Sequence, residues 1–198
     1  MKYFPLLAAI VVLFSGCLSV NEKLLPKTTV INPPKQAGTL EVKKGPFIQK
    51  LNDEGDHRGV VSNTTLLNSV SDNIFNRWKS KNIVSSFGTA GRLTGPPDYT
   101  VTISGYRNED ASIFGAVICG LSLYIIPTTC TLTFDLDFEF VNNRTKKKYA
   151  VKAKNAVTTY QQLFLLPCLP FSFNGNTEMF NDIADYTYED LRKQGAFN

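Results

Sequence analysis

Three acidic side chains, Asp135, Asp137 and Glu139, recur at alternate positions in the segment TLTFDLDFEF, residues 131–140. Clustered carboxylates are the ligands that calcium and magnesium prefer. Alternate residues of a strand, however, lie about 7 Å apart. Four lysines follow the same alternation in the next segment, residues 146–155, so cross-strand ion pairs explain the acidic pattern without a metal. We therefore expect no metal site here.

The single histidine, His57, lies among acids in NDEGDHRG, residues 52–59. With Asp53 or Asp56 it could act as the general base of a hydrolase. The chain lacks the spacings that usually position such chemistry: a GxSxG nucleophile elbow, an HExxH zinc helix and a phosphate-binding GxxxxGK loop. A lone histidine in a polar loop is ordinarily solvated, so we expect no catalytic residue, no cofactor and a protein that is not an enzyme.

Three cysteines, Cys119, Cys130 and Cys168, could supply redox or zinc chemistry, but no two of them form a CxxC spacing. Each stands among apolar residues, where a free thiol behaves as a small hydrophobic side chain. We expect inert core thiols. A Cys130–Cys168 disulfide, which an oxidising compartment would permit, is the alternative.

The fourth cysteine, Cys17, closes an N-terminal segment of different composition, MKYFPLLAAIVVLFSGC. A lysine precedes an apolar block that ends at Phe14, and two small residues stand directly before Cys17. A basic start, a short apolar block and a small-residue cleavage site indicate a signal peptide, here residues 1–16. The block is too short to span a bilayer, which needs about 20 residues. The alternatives are a secreted protein cut nearby and an uncleaved anchor.

The small pair before Cys17 resembles the lipobox of bacterial lipoprotein precursors, with Phe14 where that family usually carries leucine. The resemblance implies cleavage before Cys17, diacylation of its thiol and acylation of the new amino group, as in palmitate-bearing lipoproteins. Leu18 and Ser19 follow instead of an acidic residue, which in this family implies the outer membrane and its periplasmic face. Two or more acyl chains suffice for stable anchoring.

The charge and length of the remaining chain limit its partners and its domain count. Loss of residues 1–16 removes one lysine and no acid, which lowers the formal charge from +4 to +3. That excess is too small for a nucleic-acid partner, which requires a concentrated basic surface. The segment 17–38 carries three prolines and predicts a lipidated, flexible tether. Residues 39–198 then form a single periplasmic domain, a length that supports one core.

Hydrophobic periodicity predicts the elements of this domain. The clearest helix carries apolar residues at three- and four-residue steps, and the clearest strand alternates strictly. A break at Gly45-Pro46 predicts that the first strand is an edge strand or is bulged. The predicted elements are, in chain order, a strand over 39–51, a helix whose apolar stripe runs from Leu67 to Trp78, a strand over 98–106, a hairpin of 131–140 with 146–155, and a helix over 177–194 that Gly195 stops.

This order predicts an α+β fold: a two-layer domain with a mostly antiparallel sheet, two main helices on one face and an apolar inserted segment. The order is similar to that of small envelope lipoproteins such as LptE and the transport-auxiliary lipoproteins. The resemblance implies a role in the cell envelope.

The inserted segment belongs to a stretch without any charged residue, 111–134. Its dense part, 113–126, would rise only about 21 Å as a helix and is too short to span a bilayer core of about 30 Å. A second apolar stretch, LFLLPCLPFSF, follows at 163–173. Either the two stretches pack together as core, or they project and contact a membrane or a protein. We favour contact, through Ile113, Phe114, Leu121, Leu123, Tyr124, Leu165, Leu166 and Phe171.

The sequence therefore predicts an outer-membrane lipoprotein that acts as a non-enzymatic binding or assembly component of the envelope. Its expected partners are the membrane, through the N-terminal lipid, and an envelope protein or further copies of itself. The alternative function is a periplasmic module that holds a lipid or another apolar ligand between sheet and helices.

Overall fold

A computed structural model of the chain describes residues 16–30, 32–53, 56–60, 64–122, 125–162 and 175–197. In these ranges seven strands form one sheet, and two long helices pack on one of its faces. The strands are β1 Gly16–Asn21, β2 Gly38–Asp53, β3 Asp56–Val60, β4 Val84–Gly88, β5 Tyr99–Ala111, β6 Thr128–Asn142 and β7 Lys148–Gln162. The helices are α1 Thr64–Ser80, α2 Ile113–Leu121 and α3 Gly175–Lys193. The predicted α+β fold class is confirmed.

The strand order is β1-β7-β6-β5-β2-β3, and β4 also pairs with β2. β2 runs parallel to β5 and to β4, whereas the other pairs are antiparallel. The predicted hairpin is β6–β7. Its turn is held by the side-chain oxygen of Asn142, which accepts hydrogen bonds from the backbone N–H groups of Arg144 and Thr145.

The break at Gly45-Pro46 is a bulge in β2. The register with β5 shifts between Lys44 and Phe47, and Phe47 lies opposite Gly105, whose φ is +133°. Over residues 42–48, β2 pairs only with β5 among the described residues. Proline has no backbone N–H to donate, so a bulge at an unpaired stretch is where a strand accepts it. The predicted bulge is confirmed.

The core lies between the two long helices and one face of the sheet. The predicted stripe of α1 is buried, with at most 2% exposure from Leu67 to Trp78 at its stripe positions. The Trp78 indole Nε1 donates to the carbonyl of Ala184 in α3 at 2.8 Å. On the sheet, alternate residues of β6 are buried: Phe134, Leu136, Phe138 and Phe140. One face of β6 is therefore core, as its period of two predicted.

Two segments differ from the predicted organisation. Residues 17–21, predicted as part of a flexible tether, belong to β1 with Gly16, and β1 pairs with β7 along its whole length. The described part of the predicted loop 52–59 lies in a β2–β3 hairpin instead. Both are short edge pairings that depend on backbone hydrogen bonds rather than on a side-chain pattern.

The rest of the segment before β2 also contacts the domain. Leu25 and Val30 pack against the core. The Tyr188 hydroxyl donates to the backbone carbonyl of Asn32 at 2.6 Å. These contacts join the segment to α3.

Candidate functional site

The ends of β1, β7, β6 and β5 lie side by side at one end of the sheet, and the paired ends of β2 and β3 follow beyond β5, where Asn52 lies opposite Asp110. Across this end, Cys17 of β1 lies opposite Gln161 of β7, and Gln161 lies opposite Thr128 of β6. Ala111, the last residue of β5, lies opposite Cys130 two positions along β6. The connection from β5 to β6 contains α2. We call the ends of β1, β7, β6 and β5, together with α2, Ser122 and residues 125–127, the α2 end.

One side of α2 is seated on the strand ends. The Ser112 hydroxyl caps the helix by accepting a hydrogen bond from the Gly115 N–H at 3.0 Å. A Cβ on Gly115 would lie 3.1 Å from the Thr128 hydroxyl oxygen, so the helix approaches β6 closely here. Cys119 is only 1% exposed, and its thiol donates to the Gln161 carbonyl at 3.9 Å. These contacts fix α2 to β6 and β7.

The other side of α2 is exposed and apolar. Phe114, Val117 and Leu121 are 67%, 52% and 80% exposed. Their spacing of three and four residues places them on one face of the helix. Ile125 and Ile126, just beyond, are 55% and 49% exposed. A helix that is apolar all round is normally buried, whereas a contiguous exposed apolar surface marks an interaction site.

None of the described helices is long and apolar enough to cross a membrane. The side chains of Phe114, Val117, Leu121, Ile125 and Ile126 lie within a stretch of the sequence, 111–134, that has no charged residue.

The structure describes only some of the predicted contact residues. Phe114 and Leu121 are exposed at the α2 end, as contact would require. Cys17 lies in β1 and Ile113 begins α2, but only their backbones belong to the described part. The remaining predicted contact residues lie outside the described residues: Leu123, Tyr124, Leu165, Leu166 and Phe171.

Sequence analysis did not single out Val117, Ile125 or Ile126. The spacing of three residues from Phe114 to Val117 was the signal that could have found the first of these.

Both described thiols are shielded from solvent, Cys119 fully and Cys130 in part. Cys119 is buried and free, and Cys130 is free and half-buried. Burial raises the pKa of the Cys130 thiol, and the nearby negative charge of Glu109 raises it further. A raised pKa disfavours the thiolate, which is the nucleophilic form. Cys168 lies outside the described residues.

Two of the three acidic side chains of β6, Asp135 and Asp137, are engaged by their neighbours. Asp137 pairs with the ammonium of Lys152 across the hairpin at 3.1 Å, a cross-strand ion pair of the predicted kind. Asp135 instead accepts a hydrogen bond from the Tyr106 hydroxyl at 2.9 Å, and this bond raises the pKa of Tyr106. In the described ranges, no three histidine, cysteine or acidic side chains come together as metal ligands. His57 lies on β3, where only its backbone is described.

A cleft of about 830 Å³ lies at the opposite end of the sheet. Beside it, the ring of Phe197 contacts the Tyr99 ring edge-on and the Tyr188 ring at a tilt. Arg144 and Arg192 also line the cleft. Burial raises the pKa of Tyr188 to about 12. The cleft is open and charged, unlike the apolar cavity between sheet and helices that the ligand-binding alternative predicts.

No protein-family model matches the chain, and no curated protein matches it. Among solved structures, a Xanthomonas campestris protein of the DUF330 family shares 10% identity, with coverage of 87% of this chain and 91% of that one and a TM-score of 0.42. A PelC dodecamer from Paraburkholderia phytofirmans shares 9%, with 86% and 95% covered and a TM-score of 0.33. A Helicobacter pylori protein described as a neuraminyllactose-binding hemagglutinin homolog shares 11%, with 88% and 91% covered and a TM-score of 0.35. At such TM-scores these likenesses carry no argument about function or assembly.

Proposed function

We propose that the protein is a lipoprotein of the bacterial outer membrane, anchored through Cys17 on the periplasmic face, and that it works by binding rather than by catalysis. The observation that carries the binding role is the exposed apolar side of α2, formed by Phe114, Val117 and Leu121. Leaving such side chains in water forgoes about 1.5–3 kcal/mol each relative to full burial. A surface of this kind is stabilised when another component covers it.

Titratable side chains of β6 support the same proposal. Asp135 and Asp137 bond to Tyr106 and Lys152, so these carboxylates stabilise the sheet. The half-buried Cys130 thiol has a raised pKa and is a poor nucleophile at neutral pH. The chemistry-bearing groups described in this region therefore have structural roles.

Anchoring is tested by expressing the full chain in a Gram-negative host with an alkyne-tagged palmitate analogue. We expect the label on the mature protein, an N-terminus at Cys17 by mass spectrometry, and recovery in the outer-membrane fraction. The Cys17→Ser variant should lose the label. An unlabelled wild-type protein released into the soluble periplasm would overturn the proposal.

The second candidate function is a ligand-binding module, and the cleft beside Tyr99, Tyr188 and Phe197 favours it. Arg192 is already paired with Glu189 at 2.7 Å, whereas Arg144 is 82% exposed. Aromatic rings near Arg144 suit a ligand that is both apolar and anionic, because arginine pairs with anions and apolar groups pack on rings. Native mass spectrometry of the purified protein tests it. A bound molecule that Arg144→Ala releases would support this function, and a protein free of ligand would count against it.

A further inference from the structure

We propose that the α2 end is the face that the domain turns to the lipid bilayer, with the exposed side of α2 lying in the membrane interface beside the acylated Cys17. This inference rests on the proposed lipidation of Cys17. Beyond that proposal, it states that a lipid bilayer covers the apolar surface, and it states which end of the domain faces the membrane.

The first argument is the short distance between the anchor and α2. Cys17 lies directly opposite Gln161, which is one strand spacing of about 5 Å. The carbonyl of Gln161 in turn contacts the buried thiol of Cys119 in α2. Acyl chains on Cys17 would therefore begin one strand away from the helix.

The second argument is that Cys17 has no linker. It is itself a residue of β1, and β1 is held to the domain by β7 and by α3. The hydroxyls of Ser19 and Thr159 are hydrogen-bonded at 3.1 Å, and the Asn21 amide donates to the Asp182 carboxylate of α3 at 2.7 Å. A domain attached at its first strand residue cannot turn that end far from the membrane. The anchor thus sets the orientation.

The third argument is the chemistry of the exposed side. Phe114, Val117 and Leu121 on the helix, with Ile125 and Ile126 after it, are exposed apolar side chains in a stretch of the sequence without charged residues. A helix of nine residues is about 13 Å long and cannot span a bilayer, but a short apolar face can lie about 5–10 Å deep in the interface.

The test uses fluorescence quenching in the acylated full-length protein, reconstituted into phosphatidylethanolamine–phosphatidylglycerol vesicles with and without brominated acyl chains. The natural Trp78 is fully buried and provides the background. Leu121→Trp places a reporter on the exposed side of α2. Leu24→Trp is the matched control, since Leu24 is 54% exposed and bonds to Asn155, six residues along β7 from Gln161.

We expect brominated lipid to remove most of the emission that Leu121→Trp adds, and to leave the emission of Leu24→Trp unchanged. Equal quenching in both variants, or none in either, would overturn the orientation. A blue shift of Leu121→Trp that depends on protein concentration but not on bromination would also overturn it, and would indicate a second copy on α2. Mass spectrometry of the same samples separates the two proposals: a missing acyl group refutes the lipoprotein, whereas an acylated protein without quenching refutes only the orientation.

Discussion

The exposed side of α2 should add measurable membrane affinity to the proposed lipid anchor. Full burial of a phenylalanine or leucine side chain is worth about 1.5–3 kcal/mol. Phe114 and Leu121 are 67% and 80% exposed, so their transfer to lipid is worth about 3 kcal/mol together. The double substitution Phe114→Asp, Leu121→Asp removes this term. Each factor of ten in rate corresponds to about 1.4 kcal/mol, so desorption should become roughly 100-fold faster.

The assay is transfer of the acylated protein from donor vesicles to sucrose-loaded acceptor vesicles, separated by centrifugation at intervals. The control is the double substitution Leu24→Asp, Ile48→Asp, because these side chains are 54% and 45% exposed but lie away from the α2 end. The control should transfer at the wild-type rate. Unfolding of all three proteins in urea should agree to within about 0.5 kcal/mol, as expected for surface substitutions. Equal transfer rates for the two double variants would refute the reasoning, and a large loss of stability in the first would show that α2 is core.

Three further predictions concern the scaffold. Gly105→Ala should destabilise the fold by about 3 kcal/mol, because its φ is positive and the new Cβ would clash with the backbone of the adjacent strand. The control Gly95→Ala should be neutral, since a Cβ there meets no atom within 4 Å. Urea unfolding followed by tryptophan fluorescence compares the two variants, and coincident unfolding curves would contradict this prediction. Asp185→Asn should lower the free energy of unfolding by about 1–3 kcal/mol, since the carboxylate of Asp185 accepts two hydrogen bonds from Arg77, at 3.1 and 2.9 Å. Thermal unfolding of Asp185→Asn, Arg77→Met and the double variant tests this. Losses that add in the double variant would show that the two side chains do not stabilise the fold as a pair. Burial raises the pKa of Tyr188 to about 12. The stabilisation linked to this shift is complete below the ordinary tyrosine pKa of about 10 and is lost as the pH rises towards the pKa of the folded state. The fall in the free energy of unfolding above pH 10 should therefore be smaller in Tyr188→Phe, and identical pH profiles of the two proteins would contradict this prediction.

The long elements could be predicted because each buries one face. In α1, the steps from Leu67 to Trp78 match the helical period, and every residue of that stripe is buried. In β6, strict alternation places Phe134 on the buried face of the strand and Asp135 on the opposite face. Hydrophobic periodicity arises when one side of an element is buried and the other faces solvent, so it predicts an element wherever that difference is strong.

The short edge strands could not be predicted in this way. β1 is six residues long and pairs with a strand about 140 positions away in the sequence. Its stability comes from backbone hydrogen bonds to β7, and no local side-chain pattern records those bonds. The prolines that suggested a tether lie after β1, in a segment that contacts the core through Leu25 and Val30.

The exposure of α2 was ambiguous in the sequence for a related reason. The helix is apolar on all sides, so its pattern has no contrast that would separate a buried face from an exposed one. Only the tertiary pairing decides: Gly115 and Cys119 meet β6 and β7, and Phe114 and Leu121 are left outside. Sequence reasoning could name the segment but not the side of it that is free.

The same strand pairing fixes the position of the predicted acylation site relative to α2. On a flexible tether, Cys17 would hold the domain near the membrane in any orientation, and an apolar patch could face the lipid or a distant partner equally well. As a residue of β1, Cys17 is fixed opposite Gln161, and Gln161 is fixed to α2 through Cys119. The sheet thereby couples the anchor to the apolar surface across a single strand spacing. An apolar helix that would be a liability on a free soluble domain is then placed where lipid can cover it.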